Sequence, residues 1–223
     1  MQVVIVGTGK LASELITSHQ LGHPFQVVPW GRQAGGEPAI VVHAGSGREL
    51  EAVAAFCRAT ASPLIELSTG SALEREAPEF PVLLCPNTNI LMLKFMAMLE
   101  ASGYFFRGYE MELVESHQAS KSSVPGTAVN LAASVGLGPE AIRSVRDPRE
   151  QREELGIPEA DLPRHAFHRL SISDGACSLR LETRVQGEAP YAAGVSRIVE
   201  AVHGKALEKR LYPIMEFINR GWL

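Results

Sequence analysis

The stretch Gln2-Val3-Val4-Ile5-Val6-Gly7-Thr8-Gly9-Lys10-Leu11-Ala12 decides how the chain reads. Gln2–Val6 is a run of β-branched apolar residues, the pattern of a strand buried on both faces. It enters a G-x-G-x-x-A turn directly, and a helical pattern follows from Lys10 to Ser18. In that context Gly7 permits the tight turn and Gly9 lets the backbone approach a pyrophosphate. Ala12 allows the helix to pack close to the strand, with its N-terminus toward the phosphates. Thr8, Lys10 and Leu11 belong to the same cofactor loop. The alternative is a glycine turn that holds no ligand.

Working outward, strand and helix patterns alternate: strands at 25–28, 39–43, 63–67 and 81–85, and a helix at 48–59. Short connections between them predict a parallel sheet wound with helices. The segment 33–38 is too short for a full crossover helix, so one helix of the doubly wound unit is expected to be missing. A helix at 90–101 precedes longer, alternating strands at 109–115, 168–173 and 178–185, with Asp174-Gly175 as a hairpin turn. Residues 127–135 read as a helix ended by Gly136, residues 144–166 as exposed loop and helix, and residues 192–202 and 207–220 as closing helices. The expected fold class is α/β. It comprises an N-terminal Rossmann-like parallel-sheet domain (1–89), an α+β mixed-sheet domain (90–189) and C-terminal helices returning to the first domain (190–223).

Composition sets the outer bounds. Apolar residues make up 45% and charged residues 21% of 223 residues, which excludes a disordered chain. About 70% of the unfolded surface of such a chain becomes buried, enough for a core without staples. The net charge of −4 argues against a nucleic-acid partner. The three cysteines, Cys57, Cys85 and Cys177, are too few and too scattered for a disulfide framework and suit a reducing compartment. The start of the chain has no basic n-region, and the longest apolar stretch, 90–99, is half a bilayer span and contains Lys94. A cytoplasmic protein with no membrane partner is expected.

The second strand of a dinucleotide fold ordinarily ends in an acid that binds the ribose 2′-hydroxyl of NAD. Here it ends in Pro29-Trp30-Gly31-Arg32, and an arginine without a neighbouring acid favours a 2′-phosphate. NADPH is therefore expected over NADH, with Trp30 able to cover the adenine; a solvated loop arginine is the alternative. The remaining strand ends, His43-Ala44-Gly45-Ser46, Leu67-Ser68-Thr69-Gly70 and Cys85-Pro86-Asn87-Thr88, line the same crevice. Of these, Leu67, Ser68, Thr69, Cys85, Pro86 and Asn87 are assigned to the nicotinamide side. Nothing in the sequence lowers the pKa of Cys85, which reads as an inert buried thiol.

Residues 115–128, E-S-H-Q-A-S-K-S-S-V-P-G-T-A, join a strand to a helix and concentrate a histidine, a lysine and several hydroxyls. Gly126 and Thr127 stand where a helix N-terminus offers backbone N–H groups to a carboxylate or phosphate. His117 and Lys121 are candidate proton donors. The plain alternative is a capped helix after a polar loop.

This stretch resembles the signature of the dihydrodipicolinate reductase family, E-A-H-H-R-H-K followed by P-S-G-T-A. The Ser68-Thr69-Gly70 loop, the Pro86-Asn87 step and Tyr191-Ala192-Ala193-Gly194-Val195 are similar to the family's G-T-T-G, A-P-N and F-A-N-G-A. The resemblance implies reduction of 4-hydroxy-tetrahydrodipicolinate with NADPH or NADH, in lysine and diaminopimelate biosynthesis. It places His117 and Lys121 on the catalytic histidine and lysine, and Gly126 and Thr127 on the carboxylate-binding pair. Arg32 falls on the arginine facing the adenosine ribose, and Lys10-Leu11 on a step of the glycine loop. It also implies a homo-oligomer, tetramer or dimer. Three departures bear on substrate. Gln118 replaces a substrate-contacting histidine, the serine before Gly126 is deleted, and Glu188 stands where an arginine is expected. They leave two alternatives open: a same-fold reductase or dehydrogenase for another imine or amino-acid-derived substrate, and a non-catalytic nucleotide-binding sensor.

Overall fold

The computed structural model describes residues 1–122, 125–187 and 189–223. In chain order, β1 (Gln2–Val6), α1 (Lys10–Thr17), β2 (Gln26–Pro29), β3 (Ala39–His43), α2 (Leu50–Thr60), β4 (Leu64–Glu66) and β5 (Val82–Leu84) lead into α3 (Ile90–Ser102). Then come β6 (Glu110–His117), α4 (Gly126–Val135), β7 (Ile142–Val145), α5 (Pro148–Glu153), β8 (Ala166–Ser173) and β9 (Ser178–Val185). The chain closes with α6 (Ala192–His203), β10 (Leu211–Pro213) and α7 (Ile214–Asn219). Two compact units result, residues 1–93 with 191–223, and residues 94–190.

The first unit is a six-stranded parallel sheet in the order β10-β5-β4-β3-β1-β2. Val3–Val6 and Ala39–His43 are buried along their whole length, as continuous apolar runs demand. The chain passes from β2 to β3 across β1, and no helix forms over 33–38. The strand order therefore reverses between β1 and β3, where open α/β sheets bind ligands. Gly7 marks this point. Its φ is +126°, and a Cβ there would stand 2.6 Å from the carbonyl oxygen of Ala44. Only glycine lets the two strand exits lie so close.

Close contacts fasten α6 to this unit, among them the Ser196 hydroxyl donating to the Gln20 carbonyl at 2.8 Å. Tyr191, its N-cap, makes no side-chain cap bond. The buried carboxylate of Glu14 on α1 accepts the Tyr191 and Ala192 N–H groups instead, at 2.9 and 3.0 Å. At Gly194 the helix backbone lies so near Thr88 that a Cβ would overlap the Thr88 carbonyl. The last helical segment is shorter than the sequence suggested. Residues 207–220 do not form one helix: Leu211–Pro213 adds to β5 as an edge strand, and the final helix starts at Ile214. Pro213 explains the change, because proline has no N–H for a helix interior and drives the preceding residue into extended backbone.

The second unit is a mixed sheet ordered β7-β6-β8-β9, with β7 parallel and β8 antiparallel to β6. β8 and β9 form the expected hairpin, its turn held by the Asp174 carboxylate accepting the Ala176 and Cys177 N–H groups. Residues 144–166 are not simply exposed. Val145 completes β7, and Leu155 and Ile157 pack on Val114 and Phe167 in the core. These few apolar residues were masked in the sequence by the Arg, Glu and Pro around them.

Gly194→Ala is expected to destabilise the protein by about 1–3 kcal/mol through overpacking against Thr88. Thermal unfolding reads this as a fall in Tm of about 2–4 °C per kcal/mol. Unchanged melting would contradict so close an approach.

Candidate active site

Outside the carboxyl ends of β1, β3, β4 and β5, the first unit has a cavity of about 650 Å³. Leu11, Leu67, Ser68, Thr69 and Pro86 line it, together with His43, Gly45 and Ser71. Gly7, Thr8, Gly9, Lys10, Arg32, Cys85 and Asn87 are not in its wall. Thr8, Gly9 and Lys10 lie exposed at the start of α1. Gly9 is the N-cap, without a side-chain bond, and the space where its Cβ would stand is open to 4 Å. That is the clearance a diphosphate needs to reach a helix N-terminus.

Arg32 closes a turn through its N–H to the Pro29 carbonyl at 3.1 Å. Its side chain is exposed and pairs with no acid among the described residues. Trp30 is half-buried. Its ring packs edge-on against Phe56, with centroids 5.8 Å apart, and adjoins the sheet core. Cys85 is fully buried, its thiol directed at the Asn87 carbonyl at 3.1 Å, and burial pushes its pKa up. Any contact of Cys85 with a ligand is through its backbone. The Asn87 side chain accepts the Asn89 N–H at 2.9 Å.

In the second unit β6 carries Glu115, Ser116 and His117 to the rim of the sheet. Glu115 is fully buried, and both oxygens of its carboxylate accept hydrogen bonds. The His117 Nδ1–H donates to one oxygen at 2.9 Å, and Arg146 Nη2 to the other at 2.6 Å. Burial alone would raise this carboxyl, but the bonds from His117, Arg146 and Ser144 more than offset it and hold it at about 2. With Nδ1 committed, Nε2 is the atom of His117 left for proton transfer. Arg146 Nε also donates to the Lys121 carbonyl at 2.9 Å, so one guanidinium ties the histidine's carboxylate to the lysine's backbone. The Gln118 carbonyl accepts the Lys121 N–H at 2.9 Å and curls the loop. Gly126 and Thr127 open α4 after Pro125, which supplies no side-chain cap.

Sequence reasoning missed three participants. Arg146 is one. Gln151 is another: buried on α5, it donates to the Ser116 hydroxyl at 3.0 Å and the His117 carbonyl at 2.7 Å. Its only signal was a neutral residue within Arg149–Glu154. His168 is the third, opposite Glu115 in the β6–β8 register with its ring edge-on to His117 at 5.7 Å. Burial, then the charge of His117, lowers its pKa to about 4, so it stays neutral. Glu188, expected to replace a substrate arginine, lies outside the described residues. The nearby Arg184 is engaged by Glu182 at 2.7 Å and the Gly156 carbonyl at 3.2 Å.

No family model matches the chain. It is 32% identical over 161 residues to 4-hydroxy-tetrahydrodipicolinate reductase 2, chloroplastic, of Arabidopsis thaliana, covering 66% of this chain and 46% of that protein. A probable reductase 1 of Oryza sativa subsp. japonica is 33% identical over 126 residues, 52% of this chain and 37% of the relative. The chain is thus similar over part of its length to part of these 4-hydroxy-tetrahydrodipicolinate reductases. It spans about half the length of the curated relatives it matches or less. Solved structures share the fold. The dipicolinate-bound dihydrodipicolinate reductase of Paenisporosarcina superposes with a TM-score of 0.65 at 17% identity, over 95% of this chain and 97% of that one. A diaminopimelate dehydrogenase of C. glutamicum reaches 0.51 at 10% identity.

The buried couple makes stability depend on pH. The folded value of Glu115, about 2, lies below the ordinary 4.5, so its contribution is full above 4.5 and lost as pH falls toward 2. His168, lowered from 6.5 to about 4, adds a loss on acidification between those values. Glu115→Gln should therefore cost most stability above pH 5, with a deficit that shrinks toward pH 3. Urea midpoints measured across that range test this; a constant deficit would contradict it.

Proposed function

We propose that the chain is an NAD(P)H-dependent reductase of the dihydrodipicolinate reductase type. Its substrate would be an unsaturated cyclic imine carboxylate such as 4-hydroxy-tetrahydrodipicolinate, in lysine and diaminopimelate biosynthesis. One observation carries the reading: His117, oriented by a buried carboxylate, shares that carboxylate's arginine with the backbone of Lys121. A polar loop that merely capped a helix would not need this arrangement.

In this reading Gly7, Thr8, Gly9, Lys10 and Leu11 hold the dinucleotide's diphosphate and Arg32 its 2′-phosphate. Leu67, Ser68, Thr69, Cys85, Pro86 and Asn87 flank the nicotinamide half. The open space at Gly9 and the cavity beyond the strand ends support the fit. The bound cofactor supplies a hydride. The chain's part is to place the substrate and move a proton. Gly126 and Thr127 receive a carboxylate at the start of α4, beside Gln118. Lys121, with His117 Nε2, protonates the nitrogen left electron-rich by reduction or stabilises its charge.

A second reading within the same fold, reduction of another imine or amino-acid-derived substrate, is favoured by Gln118 and by the shortened Pro125-Gly126 step. A sensor that only binds nucleotide has no use for an oriented histidine. We also place the protein in the cytoplasm as a homo-oligomer. The three free cysteines support a reducing compartment, and the edge of β9, carrying the exposed Leu179, supports assembly. Among the described residues no helix is long and apolar enough to cross a membrane.

The deciding experiment is NADPH oxidation with freshly made 4-hydroxy-tetrahydrodipicolinate beside a panel of cyclic imines. Lys121→Ala should lower turnover about 10²–10⁴-fold with cofactor binding nearly intact, and His117→Ala somewhat less. If both variants unfold instead, the loop is structural. Arg32→Ala should weaken NADPH about 10–100-fold and leave NADH unchanged. Wild-type protein that binds NADH more tightly would refute the cofactor preference.

A further inference from the structure

The stretch from His117 to Lys121 carries both candidate proton donors, and its two end carbonyls are held from one neighbouring segment. Arg146, just after β7, donates through Nε to the Lys121 carbonyl at 2.9 Å. Gln151, further on in α5, donates through Nε2 to the His117 carbonyl at 2.7 Å. The same amide nitrogen lies 3.2 Å from the Val145 carbonyl, so it bridges the ends of β6 and β7 where their pairing stops at Ser116 and Val145. The segment between the two donors is short and stiff. Pro148 fixes one backbone torsion, and the Asp147 carboxylate accepts the Arg149 and Glu150 N–H groups at 3.0 Å. The Asp147 carbonyl accepts the Gln151 N–H at 2.9 Å.

A further contact locks the amide. Gln151 Nε2 lies 3.0 Å from the Ser116 hydroxyl, and that hydroxyl lies 2.9 Å from His165 Nε2. His165 Nδ1 donates to the Asp161 carbonyl at 3.2 Å, and burial lowers the pKa of the ring, so near neutral pH its Nε2 accepts. The Ser116 hydroxyl therefore donates to His165 and accepts from Gln151. Two carbonyls and this hydroxyl surround one end of the amide, which must be its nitrogen; turned over, its oxygen would face two carbonyl oxygens. Gln151, Ser116 and His165 are 1%, 0% and 4% exposed. Gln151 Oε1 is buried without a partner among the described residues. Three polar side chains buried together, with one acceptor unpaired, cost stability that an apolar filling would not. What the arrangement returns is direction.

Strand alternation puts the Ser116 side chain on the face of β6 opposite Glu115 and His117. The end of the strand is thus gripped from both sides. Glu115, held by Arg146, aims the His117 ring, while Gln151, locked by Ser116 and His165, fixes the His117 peptide from behind. Rotation of that peptide would swing the chain leading to Lys121 away from the histidine and leave the sheet intact. We propose that the Arg146–Gln151 segment is a gauge that sets the separation and mutual orientation of His117 and Lys121. Gln151 is its positioning residue, and Ser116 and His165 hold Gln151 in place. All three are buried and act only through the backbone at the end of β6. The proposal rests on the reductase reading above, in which His117 and Lys121 share one proton-transfer task.

Steady-state kinetics of NADPH oxidation test it in two backgrounds, wild type and Lys121→Ala, with the imine of the panel that wild-type protein reduces best. Gln151→Met keeps the volume but cannot donate. It should lower kcat about 10–100-fold and leave the KM for NADPH unchanged. In the Lys121→Ala background the same substitution should cost less than about twofold, because without the lysine there is no pair to space. Ser116→Ala, which removes one oxygen, should show the same pattern at about 2–10-fold, and it decides the matter if Gln151→Met does not fold. Unchanged kcat in folded Gln151→Met overturns the proposal. So does a loss equal in both backgrounds, which would mark a merely structural residue; either result leaves the reductase reading standing. Wild-type protein that reduces no imine of the panel would instead refute that reading, and this proposal with it.

Discussion

A carboxylate taken out of water loses its hydration, and the protein must return it as hydrogen bonds or not bury the group at all. Glu14, Glu66 and Glu115 are 8%, 0% and 0% exposed, and each organises the residues that satisfy it. Glu14 takes the first N–H groups of α6 and so fixes where that helix begins. Glu66 gathers a ring nitrogen, a backbone N–H and a hydroxyl at the end of β4. Glu115 gathers a histidine and an arginine at the end of β6. An acid in any of these places without its donors would stay protonated or open the structure. The loops around them are therefore shaped by what the carboxylates require.

The parallel sheet adds a second constraint. With no helix between β2 and β3, the chain crosses β1 by a short segment and the strand order reverses beside Gly7. The exits of β1 and β3 touch there, closely enough to exclude any side chain at residue 7. The cavity opens on the β3, β4 and β5 side of that contact, and its polar wall comes from residues just past the strand ends. The same topology that makes the sheet compact thus concentrates backbone turns, hydroxyls and a buried imidazole on one rim.

Elements were legible in the sequence where one signal dominated. β1 and β3 are unbroken apolar runs, and the β8–β9 hairpin follows from alternation and Asp174-Gly175. The polar loop from Glu115 to Ala128 stood out by its chemistry. β10 was hidden because three residues ending in proline carry no periodicity, and Tyr212 is buried by pairing with β5 and by the Phe217 ring from α7. Arg146, Gln151 and His168 were hidden for another reason. Each meets β6 through pairing or packing across at least 31 residues of chain, which no local pattern encodes. The His43–Glu66 couple depends on register alone: a one-residue slip of β4 would turn Glu66 to the opposite face.

The two histidine–carboxylate couples are alike in their bonds and differ in what surrounds them. At 15% exposure the His117 ring can exchange a proton with something outside the sheet, and its carboxylate is further held by Arg146, which keeps Glu115 ionised whatever the histidine does. At 1% exposure His43 is closed off from solvent, and among the described residues Glu66 is met by the ring, the Ser68 amide and the Ser68 and Ser71 hydroxyls, with no guanidinium. The His43 ring is closed inside the sheet with its carboxylate, whereas the His117 ring stands at the sheet's rim. One arrangement of atoms thus recurs at the ends of β3 and β6, and access to solvent and the Arg146 guanidinium separate the two.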